Sequence, residues 1–290
     1  MKKTNILLVT TLLAMASFIS CSKDDKDEKS GLNETISAKW EINDPKSTYS
    51  SFEFSKDGNY IVIKNMNLSS NRSGFVISPE KLLGMETNEN ESATRASDSN
   101  LSPIHLGTYK IEGDKIILSG FGTLEVISIT AEEFSFYFTL EATGEKGQYQ
   151  ANKSVAVASS SRTDMLCRTW IFDKITIDET LVSAKDKKEL IEEYGQNWKA
   201  NFEKEMNQEL KQSQVTVLFS KAGTYLVLYN GELGGESGLS EWKWANSEET
   251  AFYYSWDNWR YTGGPVPIKE LTNKRLVVQE EFIIEEFIAK

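Results

Sequence analysis

Along most of the chain, short runs in which apolar and polar residues alternate are separated by turn-forming residues. Phe52 and Phe54 alternate with polar neighbours, Asp57-Gly58 turns the chain, and Asn59-Tyr60-Ile61-Val62-Ile63 returns. Gly58 supplies the positive φ that a tight hairpin requires. Residues 106–111 and 115–118 form a second such pair across Glu112-Gly113-Asp114, and residues 134–140 with 147–152 a third. Strands of this length joined by tight turns predict an all-β sandwich or barrel.

The pattern occurs twice. FEFSKDGNYIVI at 52–63 returns as VLFSKAGTYLVL at 217–228, with Gly223 in the place of Gly58. Around this hairpin other landmarks keep their order. Trp40 corresponds to Trp170, Tyr109-Lys110 to Trp242-Lys243, and Ile129-Thr130 with Phe134 to Leu271-Thr272 with Leu276. A fixed order of landmarks indicates duplicated units. The reading is two homologous domains, residues 32–157 and 162–290, each long enough to bury its own core. A polar linker at 158–161 joins them, built on Ser159-Ser160-Ser161.

The copies differ in their insertions. Residues 88–103 of the first carry few apolar side chains and read as a loop. The second has residues 184–212, where Leu190, Tyr194, Trp198, Phe202, Met206 and Leu210 recur every fourth position. That spacing predicts an amphipathic helix with a slowly winding apolar stripe. The stripe must rest on something apolar: the outside of its own barrel, the mouth of that barrel as a lid, or a seam with the first copy.

The N-terminus sets an address. Lys2 and Lys3 precede an apolar run from Ile6 to Ile19 that ends at Ser20-Cys21, too short for a membrane span and fitting a signal peptide over residues 1–20. Phe18-Ile19-Ser20-Cys21 resembles a bacterial lipobox. The resemblance implies that Cys21 becomes the acylated N-terminus and anchors the chain in a membrane. An acidic tether follows over 21–31, with Lys23-Asp24-Asp25 similar to the signal that takes Bacteroidetes-type lipoproteins to the cell surface, which implies an outer-membrane, surface-exposed location. Removing Lys2 and Lys3, and no acid, takes the formal charge from −11 to −13. Such acidity argues against nucleic acid as a partner. With Cys21 lipidated, Cys167 is the remaining thiol and reads as a small buried hydrophobe.

Candidate chemistry is sparse. The single histidine, His105, reads as an exposed loop residue, and one histidine supports neither a His-based metal cluster nor a triad. The chain has no H-E-x-x-H, G-x-S-x-G, P-loop or EF-hand pattern, so no cofactor or metal is expected. Its 43 acidic residues offer many carboxylate pairs, and the sequence singles out none. These features point away from an enzyme. The densest aromatic stretch runs from Trp242 through Trp244 to Tyr261. Trp242 and Trp244 align with Tyr109 and Ile111 and so serve the shared core. Trp256, Trp259 and Tyr261 fall where the first copy has Gly120-Phe121-Gly122 and, with Trp198, are the candidate ligand-binding residues.

Together, the tryptophan in an L-x-G-x-W setting, the F-x-x-D/N-G-x-Y hairpin, the later aromatic strand and the I/L-T-x-x-x-L strand resemble the lipocalin-like domains of Bacteroidetes lipoproteins. Ala38 and Arg168 stand where that pattern has glycine. The resemblance implies two tandem lipocalin-like antiparallel β-barrels, the second with the inserted amphipathic helix. The aromatic stretch points to binding of a small apolar or glycan-like ligand in the second copy; the alternative is a surface adhesin or assembly component that meets another protein.

Overall fold

The computed structural model describes residue 32 and residues 34–65, 104–233, 239–255, 259 and 264–290. The signal peptide, Cys21, the acidic tether, the 88–103 loop, Trp256 and Tyr261 lie outside the described residues.

Two closed, eight-stranded antiparallel barrels stand in tandem. The first runs in simple up-and-down order: β1 (Lys39–Ile42), β2 (Tyr49–Phe54), β3 (Asn59–Lys64), β4 (Ile104–Glu112), β5 (Lys115–Leu118), β6 (Gly122–Ile129), β7 (Glu133–Leu140) and β8 (Lys146–Lys153). It closes where Trp40 of β1 pairs with Lys153 of β8. The second begins with a short helix, α1 (Ser161–Leu166), and β9 (Thr169–Ile177). It continues through β10 (Thr216–Phe219), β11 (Thr224–Tyr229), β13 (Leu239–Trp244), β14 (Ala251–Ser255), β15 (Val266–Leu271), β16 (Arg275–Glu280) and β17 (Ile283–Ala289). A two-residue strand, β12 (Glu232–Leu233), pairs with the end of β11. Closure puts Trp170 of β9 opposite Ala289 of β17. Closing each sheet removes the unpaired edges that an open sheet would expose.

The duplication extends to individual hydrogen bonds. Trp40 Nε1 donates to the Ile36 carbonyl at 2.8 Å, and Trp170 Nε1 to the Leu166 carbonyl at 2.9 Å. Both indoles are fully buried. The β2–β3 and β10–β11 hairpins turn on Gly58 at φ 80° and Gly223 at φ 84°. The Tyr109 amide donates to the Gly58 carbonyl, and the Trp242 amide to that of Gly223. The Tyr109 hydroxyl then reaches the Ser55 carbonyl at 2.9 Å, as Trp242 Nε1 reaches that of Ser220 at 2.9 Å. Thr130 and Thr272 form matching turns before β7 and β16, each hydroxyl accepting from two following amides. At these matched positions the two copies satisfy their polar groups through the same backbone partners.

Ser160 caps α1 by accepting from the Thr163 amide, so the serine-rich stretch between the barrels also starts a helix. The 184–212 insertion is two helices and not one: α2 (Ala184–Tyr194) and α3 (Trp198–Gln212). The break falls at Gly195, whose φ of 78° ends α2 in a conformation that side-chain-bearing residues disfavour. The apolar stripe survives the break because Leu190, Trp198, Phe202, Met206 and Leu210 all enter the core of the second barrel. β10 pairs with β9 only over Thr169, Trp170 and Ile171. Beyond that point α3 takes its place along the wall. Asn207 accepts from the Ile175 amide at 2.8 Å and Glu203 from the Ile177 amide at 2.7 Å. The helices therefore pack on their own barrel, and among the described residues none of theirs joins the apolar seam with the first.

That seam is formed by sheet faces. Ile61, Ile63 and Ile104, with Leu106, meet Leu226 and Leu228, with Leu218 and Leu239. At its border Thr224 Oγ1 donates to the buried Glu53 at 2.7 Å, and Lys39 lies 3.8 Å from Glu241. Burial pushes the Glu53 carboxyl up, and the hydrogen bonds from Ser220 and Thr224 partly offset it.

Candidate functional site

Successive residues of a strand face opposite sides of the sheet, so the paired register assigns each side chain to the interior or exterior. In the first barrel the interior is packed with aromatic rings. Phe52, Phe136 and Phe138 are 2% exposed or less. Phe138 lies 5.4 Å from Phe52, 5.3 Å from Tyr49 and 5.3 Å from Phe121, and Phe136 stacks 5.6 Å from Tyr149. Such aromatic contacts fill the lumen and leave little for a ligand to displace.

The second barrel departs from this at its far end, away from Trp170. Counting from the matched turns, Phe134, Phe136 and Phe138 of β7 correspond to Leu276, Val278 and Glu280 of β16. Phe136 pairs with Tyr149, and Val278 pairs with Glu285, so Glu285 stands where Tyr149 does. Tyr109 pairs with Leu118, and Trp242 with Tyr254, so Tyr254 replaces Leu118. Gly107 leaves room for the Tyr60 ring, which a Cβ there would meet at 2.7 Å. Ser240 holds that position in the second barrel, and Tyr225 lies beside Tyr254 with ring centroids 5.7 Å apart.

These replacements put two carboxyls and three phenols, Tyr225, Tyr229 and Tyr254, on the interior of one barrel. Glu280 and Glu285 are part-buried, as are Tyr225, Tyr229 and Tyr254, so polar side-chain surface is left uncovered at this end of the barrel. Burial pushes the Glu285 carboxyl up to about 7. Glu280 is held well above the ordinary carboxylate range, first by burial and then by the charges of Glu285 and Glu281, against a hydrogen bond from Tyr254. Burial also pushes the Tyr229 phenol up to about 12. Burial thus favours the protonated form of both carboxyls and of the Tyr225 and Tyr229 phenols.

The candidate residues read from the sequence are dispersed. Trp198 is 5% exposed and belongs to the core. Trp259 lies on the outer wall: its amide donates to Ser255 Oγ at 2.9 Å, and Lys243 Nζ sits 4.0 Å from its ring centroid. Both partners point outward, because they pair with Glu241 and Tyr253 on that face. Trp242 and Trp244 pack edge to face at 5.3 Å, with Trp242 in the core.

His105 is a correction. It lies on β4 and not in a loop, stacked on Phe121 at 4.0 Å inside the first barrel. Burial and the nearby Lys64 push it down to about 4. Cys167 is half-buried against the core, and burial pushes its thiol up to about 12, so it stays protonated.

Sequence reasoning alone does not reach Glu280 and Glu285. The signal was nevertheless present, since extending the Thr130–Thr272 alignment along the strand sets Glu280 against Phe138. Among the described residues no three His, Cys, Asp or Glu side chains gather so as to hold a metal ion, and no helix is long and apolar enough to cross a membrane. No protein-family model matches the chain, and no curated protein matches it.

Proposed function

We propose that this chain is a lipid-anchored, surface-exposed binding protein of two lipocalin-like barrels, in which the second binds a small ligand and the first is a filled scaffold. One observation carries the reading: the same fold, with the same turns and capping hydrogen bonds, packs Phe138 and Tyr149 in one copy and Glu280 and Glu285 in the other. A barrel that folds with an aromatic filling has no structural need of enclosed carboxyls, which cost stability unless something compensates them. Tyr225, Tyr229 and Tyr254 add flat apolar faces with hydroxyl tips, the mixture typical of small-molecule pockets. The anchor rests on Lys2, Lys3, the apolar run and Cys21.

Native mass spectrometry of the protein purified from its host tests the binding role. The expected spectrum shows a small molecule retained at one per chain and released on denaturation; a bare chain under conditions that preserve the fold contradicts it. The anchor is tested separately. Cys21→Ser should leave the membrane fraction, since stable anchoring needs more than one acyl chain and this variant has none; continued membrane fractionation with maturation contradicts it.

A further inference from the structure

We infer that the ligand of the second barrel is an organic amine, whose ammonium group is received between Glu280 and Glu285 and whose apolar body lies against Tyr225 and Tyr254. The inference rests on the binding reading above and narrows it to a chemical class.

Two independent features point to a cation. The first is placement: Glu280 and Glu285 come from adjacent antiparallel strands and share the interior face, with Glu280 opposite Ile283 and Glu285 opposite Val278. Diagonal neighbours on one face of an antiparallel pair lie within reach of long side chains. The second is the state of Glu285. It is part-buried, burial alone raises its carboxyl, and among the described residues no hydrogen bond or ion pair to it offsets that. Its ladder neighbours are Val278 and Ile175, both apolar. Two buried carboxylates among the described residues are compensated: Glu53 by Thr224 and Ser220, and Glu286 by Lys174 and Arg275. Glu285 is the exception within its own strand. A carboxylate drawn out of water is stabilised by a cation or by donors, and among the described residues neither is supplied.

The surroundings fix the rest of the ligand. Tyr225, Tyr229 and Tyr254 face the two carboxyls from β11 and β14, and Glu209 of α3 acts on Tyr229 from the helical side. The ionisable groups that act on Tyr225 and Tyr229 are acidic and none is basic, so the region offers an anion no partner. The phenols supply ring faces, over which an ammonium is also attracted by the ring quadrupole. A carboxylate-bearing or phosphate-bearing ligand does not fit this site.

Binding an ammonium ion displaces the proton that the carboxyl pair holds near neutral pH, so uptake of the amine releases protons to solvent. No covalent step is involved.

The test uses the mature chain and two probes of one shape, tryptamine and its neutral alcohol analogue indole-3-ethanol, titrated by calorimetry at pH 7 in two buffers of different ionisation enthalpy. The expected result is an affinity for tryptamine about 10- to 100-fold above that for the alcohol, as a charged hydrogen bond gives, with net proton release. In Glu285→Gln the preference should collapse and the proton release fall away, while the melting temperature holds or rises. Equal affinity for both indoles, or an amine preference unchanged in Glu285→Gln, overturns the amine assignment and leaves the binding reading standing. If neither indole binds but the neutral polycycle 1-aminoanthracene does, the assignment again fails alone. If none of the three binds, both readings fail.

Discussion

Glu280 occupies in the second barrel the ladder position that Phe138 occupies in the first. Both lie on the penultimate strand of their copy, both point inward, and both follow the same threonine turn. Phe138 is packed by Tyr49, Phe52 and Phe121. Glu280 meets Tyr254 and a second carboxyl. The chain thus contains its own control: the filled copy shows what the fold alone requires, and the difference marks what it does not.

The carboxyl pair makes stability depend on pH. Burial raises Glu285 from 4.5 to about 7, so over that interval the folded state keeps a proton that the unfolded state has lost. Stability is fully present below about pH 4.5 and falls as pH rises through 7, by roughly 3 kcal/mol for a shift of this size. Glu280 acts in the same direction. In urea denaturation at pH 5 and pH 8, Glu285→Gln should gain on the wild type at the higher pH. Curves that stay parallel at both pH values contradict the assignment.

The tryptophans separate core from surface. Trp242 is 2% exposed and packs on Phe219 at 5.6 Å and Trp244 at 5.3 Å. Trp242→Ala should cost about 3 to 5 kcal/mol, as large-to-small changes in a core do. Trp259 stacks on Lys243 at the outer wall, and Trp259→Ala should cost under about 1.5 kcal/mol. Chemical denaturation of the two variants in the full mature chain reads the difference. An equal, large loss in both would place Trp259 in the core.

The isoleucine and leucine seam couples the two barrels. Leu226 is fully buried between them, with Ile61, Ile63 and Ile104 opposite. Leu226→Asp puts an unpaired charge into that contact without touching either lumen. The wild type should unfold in one coupled transition and the variant in two, resolved by calorimetry, because each barrel has its own core. A single transition shifted downwards in the variant would show instead that the charge disrupts the second barrel itself.

The duplicated architecture is legible in the sequence because its markers are local. Gly58 and Gly223 are needed where φ is positive, and Thr130 and Thr272 cap turns through their own hydroxyls, so each leaves a trace at a fixed offset. The break at Gly195 leaves a weaker trace, since Leu190 before it and Trp198 after it both face the core and the stripe runs on unbroken. His105 stands beside a polar stretch and reads as loop, though the pairing of Val62 with His105 makes it strand. The site is hardest to see. Tryptophans draw attention in a sequence, yet Trp198 is core and Trp259 lies on the outer wall. Glutamates in RLVVQEEFIIEEF look like solvent-facing residues until register turns Glu280 and Glu285 inward and Glu286 outward. Inward and outward differ by one residue in a strand, and only the pairing decides between them.

The proposed binding role requires that the second barrel have room for a ligand where it lacks the aromatic filling of the first. Fluorescence titration with 1-aminoanthracene, comparing the wild type with Glu280→Phe/Glu285→Tyr, tests it most directly, since the double variant restores to the second lumen the residues found at those positions in the first. The expected result is one saturable site per chain in the wild type, loss of that site in the variant, and a variant at least as stable as the wild type in urea. Undiminished binding in a folded variant, or two equal sites in the wild type, would contradict it.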